Sequence, residues 1–261
     1  MHIIVCIKQV PSSNEVRLNP VTNTIIRDAK QSVINPYDRF AVEEAIRIKE
    51  KTGARVTILS MGIPATERLL RDAISQGADD AMLLSDRAFA GADTLATSYT
   101  LSLGAREAGK VDLVLCGKMA IDGDTAQIGP ELAEHMGIPH VSDVCEFVKV
   151  TEQEIVCIRA RDYGKEVVRV TLPALLTVDK DINVPRLPSI AGIRRMENAP
   201  FKKMDAMMVG ADRNRIGLDG SPTQVVRTFV PSRVRECVFF EGNMEEKISN
   251  ALSVMEEGGW I

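Results

Sequence analysis

Up to about residue 140 the chain alternates short apolar β-type runs with segments whose apolar residues recur three and four apart. Parallel strands cannot be joined by a tight turn, so each such run needs a crossover. Helices supply it and cover the sheet faces, which makes this alternation the signature of a doubly wound, mostly parallel α/β sheet. The first strand is expected over Ile3 to Val10, followed by a hairpin or loop through LNPVTNTIIR. Asp38 then caps a helix that carries Ala41, Ala45 and Ile48 on one side and stops at Gly53. VTILSM forms the next strand, and the helix from Thr66 to Gln76 places Leu69, Leu70, Ala73 and Ile74 at helical spacing before Gly77 ends it. Ala81 to Leu84 and Leu113 to Cys116 are two further strands, separated by a helix that Asp93 caps and that carries Leu95, Tyr99 and Leu103. A long polar loop leads into a last helix of this half, with Ile128, Leu132 and Met136 on one face.

From about Val144 the pattern changes to strands, CEFVKV, IVCIRAR, EVVRVTL and ALLTVD, which pair with one another or extend the sheet. After Asp179 periodicity fails. The stretch around 184–204 carries Pro185, Pro188 and Pro200 among basic residues and reads as an excursion outside the core. Glu241 to Glu257 reads as an amphipathic helix with Ile248, Leu252 and Met255, followed by Gly-Gly-Trp-Ile, an apolar end suited to docking. The expected division is an α/β domain over residues 1–225 and a C-terminal arm over 226–261.

Composition narrows the possible partners. Of the 261 residues 45% are hydrophobic and 26% charged, and the formal net charge is -4, so neither nucleic acid nor an anionic membrane is an expected partner. The N-terminus MHIIVCIKQVPSS has no basic region ahead of its apolar run, and no apolar run reaches membrane-spanning length, so a cytoplasmic protein without membrane insertion is expected. Cys6, Cys116, Cys145, Cys157 and Cys237 have no CxxC spacing and read as reduced thiols. His2, His135 and His140 lack the spacing of metal ligands. No Ser-His-Asp order, GxSxG elbow or Cys-His pairing supports nucleophilic catalysis, so no catalytic residue is assigned and any redox chemistry falls to a bound cofactor.

Four polar segments follow the early strands: KQVPSS, MGIPAT, SDRAFAGADT and GKMAIDGDTAQIGP. In an open parallel sheet they share one edge, where ligands of doubly wound proteins bind. Gly91-Ala92-Asp93-Thr94 and Gly123-Asp124-Thr125 each place glycine beside a helix start, where free N–H groups and the helix dipole favour phosphate. Asp and Thr at such places are more often plain N-caps than ligand contacts, so only the convergence of these segments on one edge points to a ligand. Neither GxGxxG nor GxxxxGK[ST] occurs, so a different nucleotide cradle is required.

VCIKQVP near the N-terminus, NPYDRFAVEEA from Asn35, GADTLATS from Gly91 and GKMAIDGDTAQIGPELAE from Gly117 together resemble the electron transfer flavoprotein beta subunit. The resemblance implies a sheet of the adenine nucleotide alpha-hydrolase-like type, an alpha-subunit partner wrapped by the C-terminal extension, and electron exchange with a flavin dehydrogenase. It carries nucleotide contacts onto Cys6, Lys8, Asn35 to Asp38 and Met61, and the phosphate cradle onto Asp122, Gly123, Asp124, Thr125, Ala126 and Gln127. Asp122 and Asp124 suit turn amides or a ribose hydroxyl better than phosphate itself. DGDTAQIGP with SDRAFAGADTLATS resembles the electron-bifurcating branch, which implies FAD in this subunit, Thr94 near the dinucleotide, NADH as donor and ferredoxin as one acceptor. Ordinary members keep AMP there instead. The segment around Leu187 resembles the family's recognition loop, with Leu187 and Ile190 as apolar anchors and Arg194, Arg195, Lys202 and Lys203 steering an acidic dehydrogenase. A free-standing nucleotide-binding module of the universal-stress type shares the α/β domain but needs neither this loop nor the apolar tail.

Overall fold

The structure, a computed structural model, describes residues 1–12, 32–226 and 237–261. It divides into two units, Met1–Gln224 and Val225–Ile261. The expected LNPVTNTIIR hairpin lies outside the described residues.

In chain order the first unit contains β1 (His2–Cys6), β2 (Gln9–Pro11), β3 (Ser32–Ile34), α1 (Pro36–Thr52), β4 (Arg55–Met61), α2 (Glu67–Gln76), β5 (Asp80–Leu84), α3 (Thr94–Glu107) and β6 (Leu113–Gly117). It continues with α4 (Ile128–Met136), β7 (His140–Val150), β8 (Glu154–Arg161), β9 (Gly164–Thr171), β10 (Ala174–Val178), α5 (Ile190–Met196) and β11 (Phe201–Met204). The second unit holds α6 (Met244–Glu257). No helix among the described residues is long and apolar enough to cross a membrane.

Nine strands form one sheet in the order β11-β5-β4-β1-β6-β10-β7-β8-β9. It is parallel from β11 to β7, and β8 and β9 add antiparallel. Successive residues of β1 face opposite sides, so Ile3 and Val5 enter a core with α1 and α2, while Ile4 and Cys6 enter a second core with α3 and α4. Both faces are therefore covered, and Ile3, Ile4 and Val5 are fully buried in succession. The doubly wound α/β reading is realised.

Three local expectations change. The first strand stops at Cys6, because Gln9–Pro11 turns aside to pair antiparallel with Ser32–Ile34. Asp38 does not cap α1; Asn35 holds that position and Pro36 opens the helix, a place where its missing N–H costs nothing, which moves Asp38 into the first turn and buries it. The segment after Asp179 is no excursion throughout. It forms α5 and returns as β11, parallel to β5 at the sheet edge, where Met204 is buried and the Phe201 ring lies 5.1 Å from the Arg71 guanidinium carbon.

Candidate functional site: the crevice between β1 and β6

The chain leaves β1 for β4 on one side and later returns through α3 to β6 on the other, so β1 and β6 are the neighbours at which strand order reverses. Such a switch point opens a crevice beyond the strands' carboxyl ends. Cys6 and Cys116 stand opposite each other at its floor, both buried, and the hydrogen bond with Cys6, together with burial, holds the Cys116 thiol well above the usual range. Both thiols are free. Met61 ends the adjacent β4 half-buried against the same core.

One wall is the start of α1. A Cβ on Gly117 would fall 2.6 Å from the Tyr37 carbonyl carbon and would also strike Asp38 Oδ1, so the end of β6 reaches α1 only because residue 117 has no side chain. The Asn35 amide group donates to Met119 O at 2.9 Å and to Asp38 Oδ1 at 2.9 Å, and its Oδ1 accepts from the Ile121 N–H at 3.1 Å. Asp38 Oδ2 accepts from the Lys8 N–H at 2.7 Å, and the Asn35 N–H donates to Lys8 O at 2.9 Å. Burial pushes the Asp38 carboxyl up to about 7, against the pull of its bonds from Asn35 and Lys8.

The second wall is the turn after β6. Lys8 Nζ pairs with Asp122 Oδ1 at 2.6 Å, with both side chains partly in solvent. Gly123 and Asp124 donate to Ala120 O at 3.3 and 2.8 Å, and residues 122–127 are exposed. Asp124 and Ala126 have φ of 50° and 55°, a region non-glycine residues seldom occupy. Alternating left-handed residues turn successive N–H groups to one side and make an anion-binding concavity. Gln127 occupies the N-cap of α4 without a side-chain hydrogen bond to its first turn, so the positive end of that helix faces the turn uncapped.

Two ties hold the surroundings. Lys118 Nζ lies 3.0 Å from both Asp143 Oδ1 and Asp179 Oδ2, which hold its ammonium group above the usual range, and its N–H donates to Val178 O. On the far side, Asp93 caps α3 through the Ala96 N–H, and Thr94 and Ser98 donate to the two carboxylate oxygens of Glu131 at 3.1 and 3.3 Å. These two bonds to Glu131 tie the start of α3 to α4.

Cys6, Lys8, Asn35, Asp38 and Asp122 thus meet around one crevice, with Gly123, Asp124, Thr125, Ala126 and Gln127 continuing its rim and Thr94 fastened to α4. Leu187 and Ile190 lie elsewhere, 86% and 76% exposed. Of the four cations expected beside them, Arg195 donates inward to Ile74 O and Ala78 O, and Lys202 pairs with Glu107. Sequence reasoning missed Glu131, although it stands at α4's first turn inside the quoted ELAE, and Lys118, the second residue of the quoted GKMAIDGD. It also missed Arg186, whose partners Glu43 and Glu50 are 143 and 136 residues away and leave no local signal.

Residues 22–207 match the family model described as the electron transfer flavoprotein domain. The chain is 49% identical over 251 residues to the electron transfer flavoprotein subunit beta of Thermoanaerobacterium thermosaccharolyticum, across 96% of both chains. It is 43% identical over 261 residues to the subunit beta of Clostridium acetobutylicum, across the full length of both. It is 45% identical over 232 residues to the caffeyl-CoA reductase-Etf complex subunit CarD of Acetobacterium woodii, across 88% of both. A family model spanning most of the chain, full-length likeness to named beta subunits and a sheet that opens its crevice at the expected strand ends lead to one assignment: the chain belongs to the electron transfer flavoprotein family, on its beta-subunit side.

Proposed function

We propose that this beta subunit holds FAD in the crevice between β1 and β6, in a heterodimer with an alpha subunit, and takes electrons from NADH for division between ferredoxin and a flavin dehydrogenase. The observation that carries the reading is the turn 122–127, whose left-handed residues and uncapped α4 start present N–H groups to an anion beside Lys8. The flavin would accept a hydride from NADH and release electrons singly. The chain's own residues bind and orient. The turn amides take the pyrophosphate, and Lys8 exchanges its exposed partner Asp122 for a phosphate oxygen at little cost, since such surface pairs contribute little. Cys6 and Met61 provide the floor, and Thr94 borders the far side. The Leu187 to Ile190 tip is the contact offered to the dehydrogenase. The likeness to a subunit of a caffeyl-CoA reductase complex supports a partner acting on a CoA thioester; the proposed setting is cytoplasmic.

The test is to purify the chain with its alpha subunit, release the non-covalent ligands, and count FAD and AMP by absorbance and mass. About two FAD per heterodimer, no AMP, and anaerobic bleaching by NADH support the proposal. One FAD with one AMP would overturn it and leave a structural nucleotide in a simple electron shuttle.

A further inference from the structure

The side chains of Asn35 and Asp38 stand where the nucleotide is expected, yet they are only 1% and 6% exposed, and each of their polar side-chain atoms already has a partner inside the chain. We infer that Asn35 and Asp38 are positioning residues: they set the shape of the turn after β6, and through it the direction of the amides of 123–127, without touching the nucleotide. The inference rests on the proposed nucleotide site. Its physical basis is a short lever. Asn35 grips the turn at Met119 O and at the Ile121 N–H, while the carbonyl between them, Ala120 O, accepts from both Gly123 and Asp124. Fixing 119 and 121 therefore fixes the point from which the left-handed residues Asp124 and Ala126 depart.

Non-glycine residues keep such a conformation only where the surrounding frame over-determines it. Asp38 completes the frame by holding Asn35 Nδ2 with one oxygen and the Lys8 N–H with the other, and the close approach at Gly117 leaves the α1 start no room to move toward β6. With the clasp cut, the turn relaxes toward ordinary φ values and its N–H groups no longer converge. The loss then falls first on the phosphate, the group that those amides are proposed to bind.

That consequence separates positioning from contact. The nucleotide-stripped heterodimer, wild type and Asn35→Ala, is titrated calorimetrically with AMP and with adenosine, which lacks the phosphate. The expected result is AMP binding weakened by about tenfold or more, with adenosine changed by less than about threefold, so that the advantage of AMP over adenosine collapses. Asp38→Asn, which keeps the side chain's size but turns a donor toward a donor, is expected to shrink the same advantage in part, and it decides the matter if Asn35→Ala does not assemble. Equal weakening of both ligands would overturn the inference in favour of direct contact, and unchanged affinities would overturn it as well. A wild-type heterodimer that binds neither AMP nor FAD would overturn the nucleotide site itself, a failure visible without any substitution.

Discussion

At the residue scale, Asp38 is a carboxyl whose burial and bonding oppose each other, and its titration is expected to show in stability. Burial raises it from 3.8 to about 7. Between those values the folded chain keeps a proton that the unfolded chain has released, so this group's contribution to stability falls as pH rises through the window and levels off above it. Chemical denaturation of the heterodimer at pH 5 and pH 8, wild type against Asp38→Asn, measures this. The wild type is expected to lose more stability between the two pH values than the variant, and equal slopes would assign the pH dependence to other groups. Gly117→Ala is a sharper steric test. Its Cβ has backbone 2.6 Å away and also meets the Asp38 carboxylate, which its bonds to Asn35 and the Lys8 N–H hold in place, so a loss of roughly 1–3 kcal/mol in denaturation is expected. The sequence pointed to Asn35 and Asp38 but not to their work. Asp before an apolar-periodic run looks like a cap, Pro36 shifts the helix start by a few residues, and Asn35's bond to Met119 spans 84 positions that no local pattern registers.

At the element scale, the alternating half was legible because each strand–helix pair announces itself through its own periodicity, whereas sheet order depends on partners far away in sequence. ALLTV shows why. Its five residues are all buried, the mark of a strand covered on both faces, but the sequence does not tell that β10 slips in parallel between β6 and β7 and leaves β8 and β9 as an antiparallel rim. The segment before α5 is a second case. Arg186 donates to Glu43 Oε2 at 2.8 Å and to Glu50, and Asn183 donates to Phe40 O and Glu44, so the stretch leading to the exposed Leu187 is strapped onto α1. The Glu43 side chain is only 4% exposed, and Arg186 holds its carboxyl in the charged form against burial, while Glu50 is solvated and adds little. Arg186→Ala leaves Glu43 buried with only Arg47 beside it, and a loss of roughly 2 kcal/mol is expected. Hydrogen exchange should rise across 183–196 and stay unchanged at the β1–β6 crevice. Unchanged exchange in the strapped segment would mean that α5's own anchors suffice, namely Ser189 capping Gly192 and Arg195 on the carbonyls of Ile74 and Ala78.

At the scale of the whole molecule, the two units differ in what holds them. Unit Met1–Gln224 contains the sheet and both of its cores, and so has the means to fold cooperatively by itself. In the second unit α6 begins with a capping box, Asn243 accepting from the Glu246 N–H and Glu246 reaching back to the Asn243 N–H, but its Ile248, Leu252 and Met255 are 53%, 46% and 37% exposed. A cap secures a helix end and contributes about 1 kcal/mol; a fourteen-residue helix in water needs its apolar face covered to persist. Phe239, Trp260 and Ile261 extend the uncovered apolar surface to 86%, 73% and 64% exposure, and an alpha subunit is the partner that family membership implies. Removing residues 225–261 is therefore expected to leave a cooperative unfolding transition for the remaining unit while lowering recovery of the alpha subunit in co-purification by at least about tenfold. The double substitution Ile248→Asp with Leu252→Asp in the full-length chain checks the same surface without deletion, since both charges fall on the apolar side of α6 and disturb neither core of the sheet. If the truncated chain retains the alpha subunit at full yield, the heterodimer interface belongs to the sheet domain and α6 has another occupant; if truncation abolishes the unfolding transition as well, the second unit is part of the fold and not an arm.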